Sequence, residues 1–284
     1  MKPVSARSKP GAYAVATVAR AFAILGAFSD GAPSLALREI IVRTRFHKAT
    51  AFRFLSALTD LGFIHKDNET GHYSLGFQLI QLGELAKAQN IVVRTARPVM
   101  QRLRDDIGET VFLSMRAGDY RVYVEQAESR QDIRRVAQIG DRKPLYFGST
   151  GRVFLSAFSE AELEGYFART PMKKLSKATI ADAPSIRLEL ESIRKRGGIA
   201  DGGDESGTGG SSVSGAIHAP DGTIAAVMSV SMPAFRCTAT LRRKATLLLR
   251  GALEDVSRQL RASGEGRNSA SGATRAGRLY VSRP

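Results

Sequence analysis

Between residues 37 and 76 the spacing of apolar positions changes twice, and the changes predict three elements. Leu35, Leu37, Ile40 and Ile41 supply one face of a short helix over Arg38–Thr44, with Ser34 placed to cap it. A second helix is predicted over His47–Leu61. Ala51, Leu55, Leu58 and Leu61 fall on one face, while Lys48, Thr50, Arg53 and Ser56 fall on the other. Gly62 stops this helix, and Phe63–Lys66 and His72–Leu75 then read as two short strands around an Asp67–Gly71 turn. Helix, helix and hairpin is the order of a winged helix-turn-helix. The turn Arg45-Phe46-His47 lacks the glycine common there, and a left-handed Arg45 would cost on the order of 1 kcal/mol.

Upstream, Val15, Val18, Ala19, Phe22, Leu25 and Phe28 recur at helical spacing and predict a scaffold helix ending near Ser29–Gly31. Downstream, Leu79, Ile80, Leu82, Leu85 and Ala86 predict an amphipathic connecting helix over Gln78–Asn90. Ile91–Ile107 reads as another helix, with Val99, Leu103 and Ile107 on one face. Thr110–Arg116 and Arg121–Ala127 then alternate as a hairpin, with a third strand expected over Ile133–Ile139. A helix is expected to begin near Thr150-Gly151-Arg152, and Glu160–Phe167 and Ser185–Arg196 follow as surface helices. Val213–His218 and Thr223–Met232 read as strands, and Leu241–Leu260 as a closing helix. These elements define an α+β chain: a basic arm over 1–12, a DNA-binding domain over 13–76, a linker helix over 77–95, a second domain over 96–262 and a tail over 263–284.

Composition sharpens this picture. The chain has 284 residues, and 42 Lys and Arg against 27 Asp and Glu leave a net charge of +15, which favours polyanionic partners. Cys237 is the only cysteine, which excludes an intrachain disulfide framework and a Cys-rich zinc site and fits a reducing, cytoplasmic setting. No run approaches the roughly 18 apolar residues of a membrane span, so no membrane partner is expected.

The amino-terminal residues of a recognition helix lie nearest the base edges. Lys48 and Arg53 can donate to phosphate or to guanine, Thr50 to either base or phosphate, and Ala49 can meet a thymine methyl. His47 and Ser56 border this set, and Lys66, His72 and His65 of the wing can reach backbone phosphates. In the second domain, the small residues Gly148, Ser149, Thr150 and Gly151 surround a helix start whose free N–H groups suit a carboxylate. Ser229 and Ser231 share one strand face, either toward a pocket or as core serines. The glycines of GGDESGTGG lack the spacing of a nucleotide loop. No metal or cofactor is expected. An enzyme with an appended nucleic-acid domain is the second reading, and its one conceivable catalytic pair is His218 with Cys237.

The segments VARAFAILGAFSDGAPSLALREIIVRT and HKATAFRFLSALTDLGFIHKDNETGHYSLGFQLIQLG resemble the amino-terminal half of IclR-family bacterial transcriptional regulators. GDRKPLYFGSTGRVFLSAF and DGTIAAVMSVSMPAFR resemble the family's second half, so the resemblance spans roughly Tyr13–Leu260. It implies a GAF-like antiparallel-sheet effector-binding domain, a homodimer or dimer of dimers on a palindromic operator, and a small organic acid effector. It also implies that the loop at Gly148–Gly151 lines the effector pocket. Ser212 falls at a Cys-or-Ser place of that pocket and Gly207 at an acidic one, while Gly148 stands where Thr is usual. Gly151-Arg152-Val153 together with Ser212 is similar to members sensing aromatic-acid or ketoadipate-pathway intermediates.

Overall fold

A computed structural model describes residues 12–28, 31–174, 176–205 and 207–270, and side chains within 16–263 of these. All of the expected basic arm except Ala12, Ser29-Asp30 and most of the expected tail lie outside the described residues. Contacts divide the chain after Ala86 into two compact units.

The first unit contains α1 (Ala12–Leu25), β1 (Ser34–Leu35), α2 (Leu37–Thr44), α3 (Lys48–Asp60), β2 (Ile64–Lys66) and β3 (Tyr73–Leu75), followed by most of α4 (Phe77–Gln89). Its core joins Ile24, Phe28, Leu35, Ile40, Ala51, Phe54, Leu55, Leu58, Ile64 and Tyr73. Four expectations change here. Ser34 does not cap α2; it pairs with Ser74 in β3, and Glu39 Oε2 instead accepts the Ala36 N–H at 2.7 Å. The stripe expected on α1 is largely exposed at Val18 and Phe22, because the helix packs through Ile24 and the Ala27-Phe28 turn. Leu61, expected on the packed face of α3, is exposed, since it caps the helix beyond the last core turn. In α4, Phe77, Ile80, Leu82 and Leu85 are all exposed, so no amphipathic face is buried there.

Two glycines lock the wing to α3. Gly62 adopts φ 75°, and a Cβ on Gly76 would lie 2.1 Å from the Gly62 carbonyl oxygen. The two backbones therefore touch, and Gly76 N–H donates to Phe63 O at 2.8 Å.

The second unit contains α5 (Ile91–Ile107), β4 (Thr110–Ala117), β5 (Tyr120–Ala127), β6 (Arg142–Pro144), α6 (Gly148–Leu155), α7 (Glu160–Arg169), α8 (Ala183–Lys195), β7 (Ile199–Gly202), β8 (Gly210–His218), β9 (Ile224–Pro233) and α9 (Ala239–Ala270). Asn90 caps α5 by accepting the N–H groups of Val92 and Val93. The six strands form one antiparallel sheet in the order β6-β5-β4-β9-β8-β7. One face carries Val111, Leu113, Val213, Met228 and Val230 against Met100 and Leu103 of α5 and Leu249, Leu253 and Val256 of α9. The other carries Ala200, Ala216 and Val227 in a core with Val153 and Phe154 of α6 and Leu190 of α8.

The strand expected over Ile133–Ile139 is absent: Ile133, Val136 and Ile139 are exposed, and the sheet edge is β6 instead. Arg135 there donates across to Thr208 O, so the segment is held by side chains rather than by a ladder. The closing helix runs ten residues past Leu260, taking in part of the expected tail.

Candidate functional site

In the first unit, α2 ends at Arg45, the only non-glycine residue with positive φ among those described, at 57°. Its N–H donates to Ile41 O at 2.8 Å. The left-handed residue turns the chain sharply into His47, which begins α3 with extended backbone and no side-chain cap. On α3 the split into two faces is sharp: Ala51, Phe54, Leu55 and Leu58 are buried, whereas His47, Lys48, Ala49, Arg53 and Ser56 are exposed and Thr50 is half-buried. Arg45, Lys48 and Arg53 have no carboxylate partner among the described residues, so their charge is available to an outside anion. Phe52, absent from the expected set, is exposed on the same face and can pack against a base methyl.

The wing is shaped by Asp67. Its Oδ1 accepts the Glu69 N–H at 2.8 Å, and its Oδ2 accepts the Thr70 hydroxyl at 2.8 Å. The Thr70 hydroxyl, followed by the Glu69 and Thr70 backbone N–H groups, holds this carboxyl below the usual aspartate range. At the base of the turn Lys66 is exposed, with its ammonium 5.8 Å from the Tyr73 ring centre, and His65 is exposed beside it. His72 is half-buried, its Nδ1 3.1 Å from Thr70 O.

In the second unit, α6 starts two residues earlier than expected, at Gly148, because that residue takes φ 76° and folds the chain directly into the helix. Gly151 sits against the Leu145 carbonyl, where a Cβ would come within 2.3 Å. Ser149 Oγ lies 2.9 Å from Ser212 Oγ and 2.8 Å from Ser214 Oγ, and Thr150 Oγ1 lies 3.0 Å from Ser214 Oγ. Four hydroxyls thus join the helix start to β8. Across the sheet, Ser212 pairs with Ser231 and Ser214 with Ser229, so the two β9 serines lie on the same face as the cluster. Ser229 is buried and Ser231 half-buried. Gly202 of β7 closes the cluster, since a Cβ there would stand 2.7 Å from Ser212 Oγ and 2.9 Å from Ser149 Oγ.

The helix start is already occupied by an anion of the protein itself. Glu205 Oε2 accepts the Gly148 N–H at 3.2 Å, and its carboxylate meets Arg152 through bonds of 2.9 and 2.5 Å. Glu205 is 5% and Arg152 2% exposed. The acidic residue of the glycine-rich loop that reaches the site is therefore Glu205, two positions before Gly207, and Gly207 itself adopts φ 69°. Sequence reasoning missed Glu205, Ser214 and Gly202, and named Arg152 only as part of the helix start, without its ion pair. The only available signal was a pair of acidic residues, Asp204 and Glu205, inside a glycine-rich loop.

A cavity of about 920 Å³ opens elsewhere in this unit, lined by Arg116, Phe154, His218, Arg250 and Glu254 among others. It shares no residue with the hydroxyl cluster. Three of its four arginines serve the fold: Arg116 donates to Gly118 O, Arg194 to Ser156 O and Phe158 O, and Arg250 to Arg196 O. His218 and Cys237 do not form a pair. Cys237 Sγ donates to Ser211 Oγ at one end of β8 and His218 stands at the other, roughly 23 Å along the strand. No group of three or more potential metal ligands is assembled among the described residues, and none of the described helices is long and apolar enough to cross a membrane.

Comparison with known proteins agrees with this architecture. Residues 17–68 match the IclR helix-turn-helix domain, and residues 85–258 match the bacterial transcriptional regulator IclR C-terminal domain. The chain is 34% identical to the HTH-type transcriptional regulator KipR of Bacillus subtilis, over 64% of this chain and 72% of KipR. It is 28% identical to the HTH-type transcriptional repressor AllR of Escherichia coli K12, over 92% of this chain and 98% of AllR. Among solved structures, an IclR homolog complexed with 4-hydroxybenzoate from Microbacterium hydrocarbonoxydans has the same fold, with a TM-score of 0.75 at 20% identity over 87% of this chain and 99% of that one. A helix-turn-helix with its wing, followed by the matching sensor fold over more than half the chain, makes this protein a member of the IclR family of bacterial transcriptional regulators.

Proposed function

We propose that this regulator reads a palindromic double-stranded operator in the cytoplasm as a homodimer or dimer of dimers. Lys48, Thr50 and Arg53 are its principal contacts, bordered by His47, Ala49 and Ser56 and flanked by Lys66 and His72 of the wing. A small organic acid held in the second unit, beside Ser149, Thr150, Gly151, Ser212, Ser229 and Ser231, changes its affinity for that operator or its effect on transcription.

The observation that carries the DNA reading is the exposed, uncompensated cationic face at the start of α3. The net charge of +15 supports it, because each phosphate neutralised releases condensed counterions. The effector reading draws support from the hydroxyl cluster bridging α6 and β8, and from the 4-hydroxybenzoate named with the Microbacterium relative. A ligand that distinguishes two arrangements of the paired DNA-reading units shifts their populations and hence operator affinity.

The test is selection of binding sites from random duplex DNA by the full chain, followed by gel-shift titration. The expected result is a dyad-symmetric site whose affinity falls strongly in Lys48→Ala and Arg53→Ala and changes on adding an acid from a carboxylate panel. Unchanged affinity in both variants would sink the assignment of α3. An operator affinity indifferent to every acid would sink the effector reading.

A further inference from the structure

One buried cation of the second unit has no anion. Arg121 is 4% exposed, and its Nε and Nη1 are buried with no hydrogen-bond partner among the described residues. Its guanidinium lies 4.6 Å from the Tyr123 ring centre, and Nη2 points to the start of α6, 3.7 Å from where a Cβ on Gly148 would stand.

The sheet register makes the isolation of this charge more costly. Arg121 stands directly opposite Arg116 on β4 and Lys143 on β6, so three cations lie in one row on one face of the sheet. Like charges directly opposite one another repel, and a desolvated guanidinium without a counterion is unfavourable. Lys143 is balanced by Asp141 at 3.2 Å and Arg116 feels the carboxylates of Asp119 and Glu162, whereas Arg121 makes no ion pair among the described residues. The bulge between Leu113 and Ser114 brings Ser114 opposite Tyr123, on that same face. Ser114 Oγ is also buried without a partner. Two unpartnered donors therefore share one face of adjoining strands, and one of them, Arg121, reaches the helix start.

We infer that Arg121 is the carboxylate anchor of the effector site, with Ser114 beside it, and that the ligand is an organic acid whose anionic end lies under β4 and β5. The inference rests on the proposed effector role of this unit and specifies it. The amino terminus of α6 is not the anchor, because Glu205 already fills it. An incoming carboxylate at Gly148 would have to displace or repel Glu205, whereas at Arg121 it meets a buried guanidinium that has no ion-pair partner among the described residues. The planar guanidinium, stacked on Tyr123, keeps an unpartnered N–H on each of its two forks, Nε on one and Nη1 on the other, and a carboxylate matches either fork. The Ser149 to Ser214 hydroxyls, one residue beyond Gly148, are left for the uncharged polar end of the ligand.

The experiment compares acids with their uncharged amides on the full chain. Benzoate, 4-hydroxybenzoate and succinate, and the matching amides, are titrated by calorimetry into wild type, Arg121→Met and Arg121→Lys. Wild type is expected to bind at least one acid about 30-fold more tightly than its amide, the ratio one charge-assisted hydrogen-bonded pair supplies. Arg121→Met abolishes that preference, Arg121→Lys retains part of it, and without ligand Arg121→Met melts higher than wild type because a lone buried charge is removed. If an acid binds wild type and Arg121→Met with equal affinity, the anchor assignment is overturned while the effector reading stands. If no acid of the set binds wild type, both fall.

Discussion

Arg152 and Glu205 meet as an ion pair withdrawn from solvent, with the same carboxylate also accepting the first N–H of α6. The pair ties the glycine-rich loop before β8 to the helix that bears Ser149. Arg152→Met strands a buried carboxylate, and a loss of about 3–5 kcal/mol is expected in urea unfolding. The double variant Arg152→Met with Glu205→Leu should recover most of it. An Arg152→Met protein as stable as wild type would mean that the pair is solvated in solution.

DNA affinity should report the cationic face through its salt dependence. Lys48→Ala and Arg53→Ala are expected to weaken operator binding. A residue that contacts phosphate lowers the slope of log affinity against log salt by about 0.9 when removed, and a residue that reads a base leaves the slope and relaxes sequence preference instead. Fluorescence anisotropy across a salt series separates the two.

Arg45 holds a left-handed backbone without the freedom of glycine. Arg45→Gly should therefore raise the stability of the first unit by up to about 1 kcal/mol, visible as a higher urea midpoint at unchanged slope. A lower midpoint would show that the arginine side chain contributes more than its backbone costs.

The contact between Gly76 and Gly62 leaves no room for a methyl group. Gly76→Ala must push the wing strand away from the end of α3, and a loss of about 1–3 kcal/mol is expected, as for other overpacked sites. Hydrogen exchange should locate the loosening at Ile64–Lys66 and Tyr73–Leu75.

Tyr166 is fully buried, and its hydroxyl accepts the Tyr146 N–H at 2.8 Å. Burial first of all pushes its pKa from 10.0 up to about 12. Its stabilising share is complete below pH 10, where folded and unfolded forms are both neutral, and is lost as pH rises toward 12, because only the unfolded chain then ionises. Thermal melts between pH 9 and about 12 should fall in wild type and flatten in Tyr166→Phe.

By itself the sequence determined the elements whose period is local. Ala51, Leu55 and Leu58 spaced along α3, the alternation in β4 and β5, and the Asp67–Gly71 turn each follow from neighbours a few residues apart, so their backbone conformations and the winged helix-turn-helix order were legible. Resemblance added the sensor fold. What tertiary structure alone decided was pairing at a distance. Ser34 carries the chemistry of a cap but pairs with β3, and Ile133–Ile139, expected as a third strand, joins no ladder because β6 pairs with β5 instead. Glu205 enters the site because a loop with left-handed backbone at Gly207 and Gly209 folds back to Gly148 at the start of α6, which no periodicity encodes. Only the sheet register put Arg121 between Arg116 and Lys143, where its Nε and Nη1 find no hydrogen-bond partner among the described residues. Local pattern sets which face a residue takes; the charge balance of a buried site depends on partners brought in from other parts of the chain.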